Sequence, residues 1–213
     1  MVENKRSIWE NQSEIDNWVL HKNLFAGARD GIMNFIHLET FPFLKNLKSG
    51  NKILDLGSGA NNEEYLFRCP KGVGIICLDS SFGMLSRSPT ELPVQADARI
   101  LPVKSDSIDL CTSFFLIRYL TEEEWTLLLG EIRRVLKPDG QFIIIDLVEN
   151  DYPNQLSICD ANLLAQRANQ VGLTDLQVRN ETHKCTVRGN LGGYSYEQVM
   201  VAELGVLTGR KGV

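Results

Sequence analysis

Short apolar runs, each closed by a small or polar residue, recur along the chain from residue 52: KILDLG (52–57), GIICLD (74–79), PVQAD (93–97), IDLCTSF (108–114) and QFIIIDLV (141–148). Their hydrophobic positions are consecutive rather than alternating, the pattern of strands buried on both faces. Most are followed by a helix-compatible stretch. The clearest helix is 121–137, where Thr121 and Glu124 stand at capping-box spacing. Trp125, Leu128, Leu129, Ile132, Val135 and Leu136 form its apolar face. Lys137-Pro138-Asp139-Gly140 then predicts a stop and a turn. Residues 1–48 read as helical. Ile8, Trp9, Ile15, Trp18, Val19 and Leu20 lie near helical spacing, and a second stretch over 30–47 is interrupted at Pro42. Further on, 158–171 reads as a helix and 175–182 and 199–211 as strands, compatible with an antiparallel closing hairpin whose loop holds Gly189, Gly192 and Gly193. Strands alternating with helices predict a doubly wound α/β fold with a mostly parallel sheet.

Composition adds exclusions. The 213 residues are 43% hydrophobic and 23% charged, ordinary for one soluble domain. No apolar run approaches the roughly 20 residues that span a bilayer. MVENKRSIWENQSE lacks the apolar core of a secretory leader, so the expected setting is cytoplasmic and off the membrane. A net charge of −5 argues against broad contact with nucleic acid, which usually needs a basic face. Five cysteines without a CxxC pair read as reduced, buried thiols, with a catalytic or redox thiol as the alternative.

The segment with chemistry in it is Ile53-Leu-Asp-Leu-Gly-Ser-Gly59, a strand running into a D-x-G-x-G turn. Gly57 and Gly59 permit positive φ and close approach of the backbone to a ligand. A glycine turn after a strand is often structural alone, but the spacing that follows strengthens it. Asp79 ends the next strand, where a carboxylate suits a ribose diol. Asp97 ends the third, where it suits an exocyclic amine such as adenine's. Each Asp taken singly also reads as a helix N-cap.

With these residues in place, the stretch 50–148 resembles the class I S-adenosylmethionine-dependent methyltransferases of the type 11 group. The resemblance rests on ILDLGSG, on LDSSFGML, on QADARILPVKSDSIDL, on SFFLIRYL and on EIRRVLKPDGQFIII. It implies a three-layer α-β-α sandwich around a seven-stranded, mostly parallel sheet with one antiparallel C-terminal strand. Residues 1–48 would form a helical lid and 49–213 the Rossmann-like domain. It also implies a cofactor, S-adenosyl-L-methionine, leaving as S-adenosyl-L-homocysteine. Asp55, Gly57, Ser58 and Gly59 would form the turn beneath its methionyl part. Asp79, with Ser80 beside it, would hold the ribose and Met84 would lie near the adenine. Asp97 would bond the adenine amine with Ala98 beside it, and Ser113 and Phe114 would face the methionyl end. Asn61 stands where many relatives carry a third glycine. NAD is the rival ligand. Its G-x-G-x-x-G fingerprint fails at Asn62, and Glu63 and Glu64 would repel a diphosphate but not a sulfonium.

For the acceptor side the candidates are His21, Arg118, Tyr119 and Asp146. Arg118 and Tyr119 stand where many relatives carry a His-His pair, which suggests a cationic or phenolic contact, as to a carboxylate. Arg118 reads equally as a salt-bridge residue, Asp146 as a paired carboxylate, and His21, Trp9 and Trp18 as structural. The prolines of the amino-methylating [N/D/S]-P-P-[Y/F] motif are absent after Ser113, and no metal-ligand cluster is visible. The expected substrate is a small organic molecule methylated at O, N or C. A protein or RNA methyltransferase and a non-catalytic cofactor-binding module stay open, as does a homodimer.

Overall fold

The computed structural model describes residues 26–60, 69–88, 92–148, 160–191 and 194–212. Its elements run α1 (Ala26–Leu44), β1 (Lys52–Leu56), β2 (Gly74–Asp79), α2 (Phe82–Leu85), β3 (Pro93–Gln95) and β4 (Ile108–Phe114). A 3₁₀ turn (Ile117–Tyr119) follows, then α3 (Glu122–Val135), β5 (Leu136–Leu147), α4 (Ala161–Gln170), β6 (Leu173–Leu191) and β7 (Tyr194–Lys211). The seven strands form one sheet in the order β3-β2-β1-β4-β5-β7-β6. β1 to β5 are mutually parallel, and β7 runs antiparallel between β5 and β6. The doubly wound expectation holds, with the order reversing beside β1, where ligands of such sheets bind.

Alternate strand residues divide between two cores. On one face Leu54, Leu56, Cys111, Phe142 and Ile144 pack with Trp125, Leu128, Leu129 and Ile132 of α3 and Leu164 of α4. On the other, Ile143, Ile145, Leu204 and Val206 meet Phe35 and Ile36 of α1. Each such side chain, fully buried, contributes about 1.5–3 kcal/mol. Helices therefore cover both faces. Of the lid expected over 1–48, residues 1–25 lie outside the described ones, and α1 is packed into the core of the sheet.

α3 starts as its sequence predicts. The Glu124 N–H donates to Thr121 Oγ1 (3.4 Å) and the Thr121 N–H donates to Glu124 Oε2 (2.9 Å), a complete capping box. At the amino edge of the sheet, Asp109 accepts from Asn51 Nδ2, the Lys52 N–H and Lys137 Nζ, each at 2.8 Å. This pins one edge and leaves chemistry to the other.

Two expectations need correction. β5 begins at Leu136 rather than 141, because Leu136 pairs with Ile108 across a register shift while Asp139 takes φ 62°. The closing hairpin is longer than 175–182 and 199–211, running from Leu173↔Lys211 to Leu191↔Tyr194. Gly189 accordingly sits in β6 opposite Tyr196 and not in the loop.

Candidate functional site at the carboxyl ends of the strands

The turn after β1 is fastened to the end of β2. Gly57 and Gly59 adopt φ 68° and 60°. The Ser58 N–H donates to the Leu78 carbonyl at 2.9 Å, and the Gly59 N–H donates to Asp79 Oδ2 at 2.9 Å. The Ser81 N–H donates to Asp79 Oδ1, also at 2.9 Å, and the Ser80 N–H bonds the same carboxylate. Burial raises the Asp79 pKa above its ordinary value, against the opposing pull of these three backbone donors. A carboxylate offers roughly four acceptor positions, so this one keeps room for a further donor. Leu116 covers Gly57, where an added Cβ would lie 3.0 Å from Leu116 Cβ, and Met84 Cε would be 3.3 Å from a Cβ on Gly59.

Around this turn, Ser58 Oγ and Ser113 Oγ are buried hydroxyls with no hydrogen-bond partner among the described residues. Buried polar groups are normally paired, and these two stand unpaired at the tips of neighbouring strands. Ser80 is exposed and its carbonyl accepts from Gln95 Nε2. Ala98 is buried among the α3-side core. Phe114 packs with the α1-side core, on the opposite face of β4 from Cys111. Asp55 lies inside the sheet, where its Oδ1 accepts the hydroxyl of its β4 neighbour Thr112 at 2.6 Å.

Asp97 is engaged. Arg99 donates Nε to both of its oxygens (2.8 and 3.0 Å) and its N–H to Oδ1 at 2.9 Å. The same guanidinium reaches Glu124 of the α3 capping box. The carboxylate expected to meet an amine already holds a cation.

Arg118 and Asp146, nominated separately, are partners. Arg118 Nε donates to Asp146 Oδ1 at 2.8 Å and the Arg118 N–H to Oδ2 at 3.2 Å, while the Leu147 N–H adds a third donor at 2.8 Å. Asp146 is fully buried and Arg118 is 6% exposed. The guanidinium carbon stands 4.8 Å from the centre of the Phe115 ring. Phe115 has φ 60°, uncommon for a bulky residue. With three donors on its oxygens, Asp146 serves as the anchor of Arg118. Tyr119 is half-buried in the same 3₁₀ turn. His21 lies outside the described residues, as do Asn61, Asn62, Glu63 and Glu64.

Sequence reasoning passed over Leu116 and Phe115, which roof the glycine turn and floor the arginine. Nothing in the residue types announces them, since a positive φ is usually signalled by Gly or Asn. Among the described residues no group of three His, Cys, Asp or Glu is placed to hold a metal, and no helix is long and apolar enough to cross a membrane.

Residues 54–144 match the family described as Methyltransferase domain. The tRNA (carboxymethyluridine(34)-5-O)-methyltransferase ALKBH8 of Mus musculus is 33% identical over 125 residues, covering 54% of this chain and 18% of that protein. The ubiquinone/menaquinone biosynthesis C-methyltransferase UbiE of Campylobacter jejuni is 27% identical over 123 residues, covering 53% and 52%. The chain thus spans about half, or much less, of these curated relatives. A solved SAM-dependent methyltransferase from Archaeoglobus fulgidus superposes with a TM-score of 0.68 at 15% identity, covering 91% of this chain and 99% of that one. Over residues 54–144 the chain is similar to methyltransferases, and its fold is shared with solved ones.

Proposed function

We propose that the protein transfers the methyl group of S-adenosyl-L-methionine to a small-molecule nucleophile by in-line displacement. The observation that carries this reading is the tie between Asp79 and Gly59, with the two orphaned hydroxyls beside it. The residues fit the cofactor. Asp79 would accept a ribose hydroxyl in its remaining acceptor position, and Gly57 and Gly59 leave the backbone bare beneath the methionyl part. Met84 supplies an apolar wall, and Ser58 and Ser113 would gain partners. Asp97 would take part only by sharing an oxygen with Arg99. When bound, the cofactor supplies a methyl group already activated on a positively charged sulfur. The chain's own task is then to hold the acceptor in line and exclude water, effects that can supply roughly 7–11 kcal/mol.

The direct test is calorimetry with S-adenosyl-L-homocysteine and NAD on the wild type and Asp79→Ala. The reading expects binding of the former, weakened by the substitution, and none of the latter. Preference for NAD, or indifference to the substitution, overturns it. A second reading, methylation of RNA, draws on the mouse relative's name. Against it stands the net charge of −5. Salt-sensitive binding and turnover of tRNA would decide for it. Cofactor binding without turnover on any acceptor would favour a non-catalytic module.

A further inference from the structure

The guanidinium of Arg118 is held on two sides and open on a third. Its Nε and backbone N–H are spent on Asp146, and the Phe115 ring lies against its face. Nη1 and Nη2 donate to no described residue. Its side chain is nine-tenths buried, at 8% exposure. The rest of the side chain is buried, so these two donors are presented at a fixed place for an acceptor that reaches them. The positions are fixed by strain as well as by packing. Phe115 turns the chain through a positive φ as its N–H donates to the Ile145 carbonyl at 2.9 Å. The next residue, Leu116, seats on Gly57 of the cofactor turn. One short segment therefore both roofs the proposed cofactor site and carries the fork. Such strain is characteristic of places where ligands are positioned.

We infer that the Nη pair of Arg118 is the docking site for a carboxylate on the methyl acceptor. The planar fork matches two coplanar oxygens, which an ammonium cannot do. Asp146 fits the part of positioning residue. Its three donors hold it as an acceptor, so it orients the fork and does not act as a base. The Arg118–Asp146 pair is neutral overall, so a docking anion meets no excess of negative charge there. This rests on the methyltransferase reading and narrows its acceptor to carboxylate-bearing compounds.

The probes are 4-fluorobenzoate and 4-fluorobenzamide, followed by fluorine NMR on protein saturated with S-adenosyl-L-homocysteine. The acid should bind about tenfold tighter than the amide. Arg118→Gln should erase that preference and Arg118→Lys restore part of it. Asp146→Asn should weaken the acid and leave homocysteine-product binding intact. Because a single substitution could unfold this region, Arg118→Met with Asp146→Leu removes the pair together, and it too should bind acid and amide alike. Equal affinities in the wild type, or a preference that survives Arg118→Gln, overturns the inference. So does binding of the acid to the protein free of S-adenosyl-L-homocysteine that is lost on saturation with it, which would give the fork to the cofactor's own carboxylate. Failure of S-adenosyl-L-homocysteine to bind at all is a different result and removes the methyltransferase reading itself.

Discussion

The carboxylate of Asp79 accepts the N–H of Gly59 across 2.9 Å, so the end of the second strand holds the turn that leaves the first. In the proposed reading, ligand and loop would share this one acidic group, and its ionisation would govern both. Burial raises its pKa above the ordinary value of 3.8. As pH falls, Asp79 is protonated earlier than an exposed aspartate, and cofactor affinity should fall with it. The effect on the unliganded fold has the opposite sign. A raised carboxyl pKa contributes stability that is complete below the unfolded value and lost as pH rises through the folded one. Calorimetry with S-adenosyl-L-homocysteine between pH 7 and pH 4 should show the loss of affinity. Asp79→Ala should bind about tenfold or more weakly at pH 7 and show a flatter profile.

Gly57→Ala and Gly59→Ala should differ in degree. Both force an L-residue to positive φ, at about 1–2 kcal/mol. The first also drives a Cβ to 3.0 Å from Leu116 Cβ, whereas the second meets only the flexible end of Met84 at 3.3 Å. Urea unfolding should rank Gly57→Ala as the less stable, with both variants impaired in cofactor binding.

Asp146→Ala leaves the Arg118 cation buried without its partner and should destabilise the protein by about 3–5 kcal/mol. Replacing both residues with apolar ones of similar volume should recover most of that loss. A double-mutant cycle in urea checks this, and additivity of the two single changes would count against a direct coupling.

The thiols of Cys69 and Cys111 should be inert in the native state. Burial pushes Cys69 up to about 11 and raises Cys111 further, so little thiolate exists at pH 8. Iodoacetamide at that pH should label both only after denaturant is added, as followed by peptide mass spectrometry.

Strands, capping and the glycine turn are written locally, in runs of neighbouring residues, and β1, β2, β4 and α3 match their sequence patterns to within a residue or two. What sequence does not carry is which charge takes which partner. Asp97 reads as a strand-end acceptor, yet a cation two residues away, Arg99, closes on it. Arg118 and Asp146 stand 28 positions apart and meet only because β4 and β5 are neighbours. Lys137-Pro138-Asp139-Gly140 has every sign of a turn, and it persists as a bulge inside β5, between the Leu136–Ile108 and Gln141–Leu110 pairs. Phe115 gives no local sign of its positive φ, because tertiary packing dictates it.

The wedging of β7 between β5 and β6 has a consequence for biosynthesis. Until residues 204–210 have left the ribosome, β5 offers a row of bare amides and carbonyls along one side. β6 is made earlier but has nowhere to dock. A stalled nascent chain would thus hold a half-sheet with an adhesive flank, and it is there that chaperones or a neighbouring copy would find purchase.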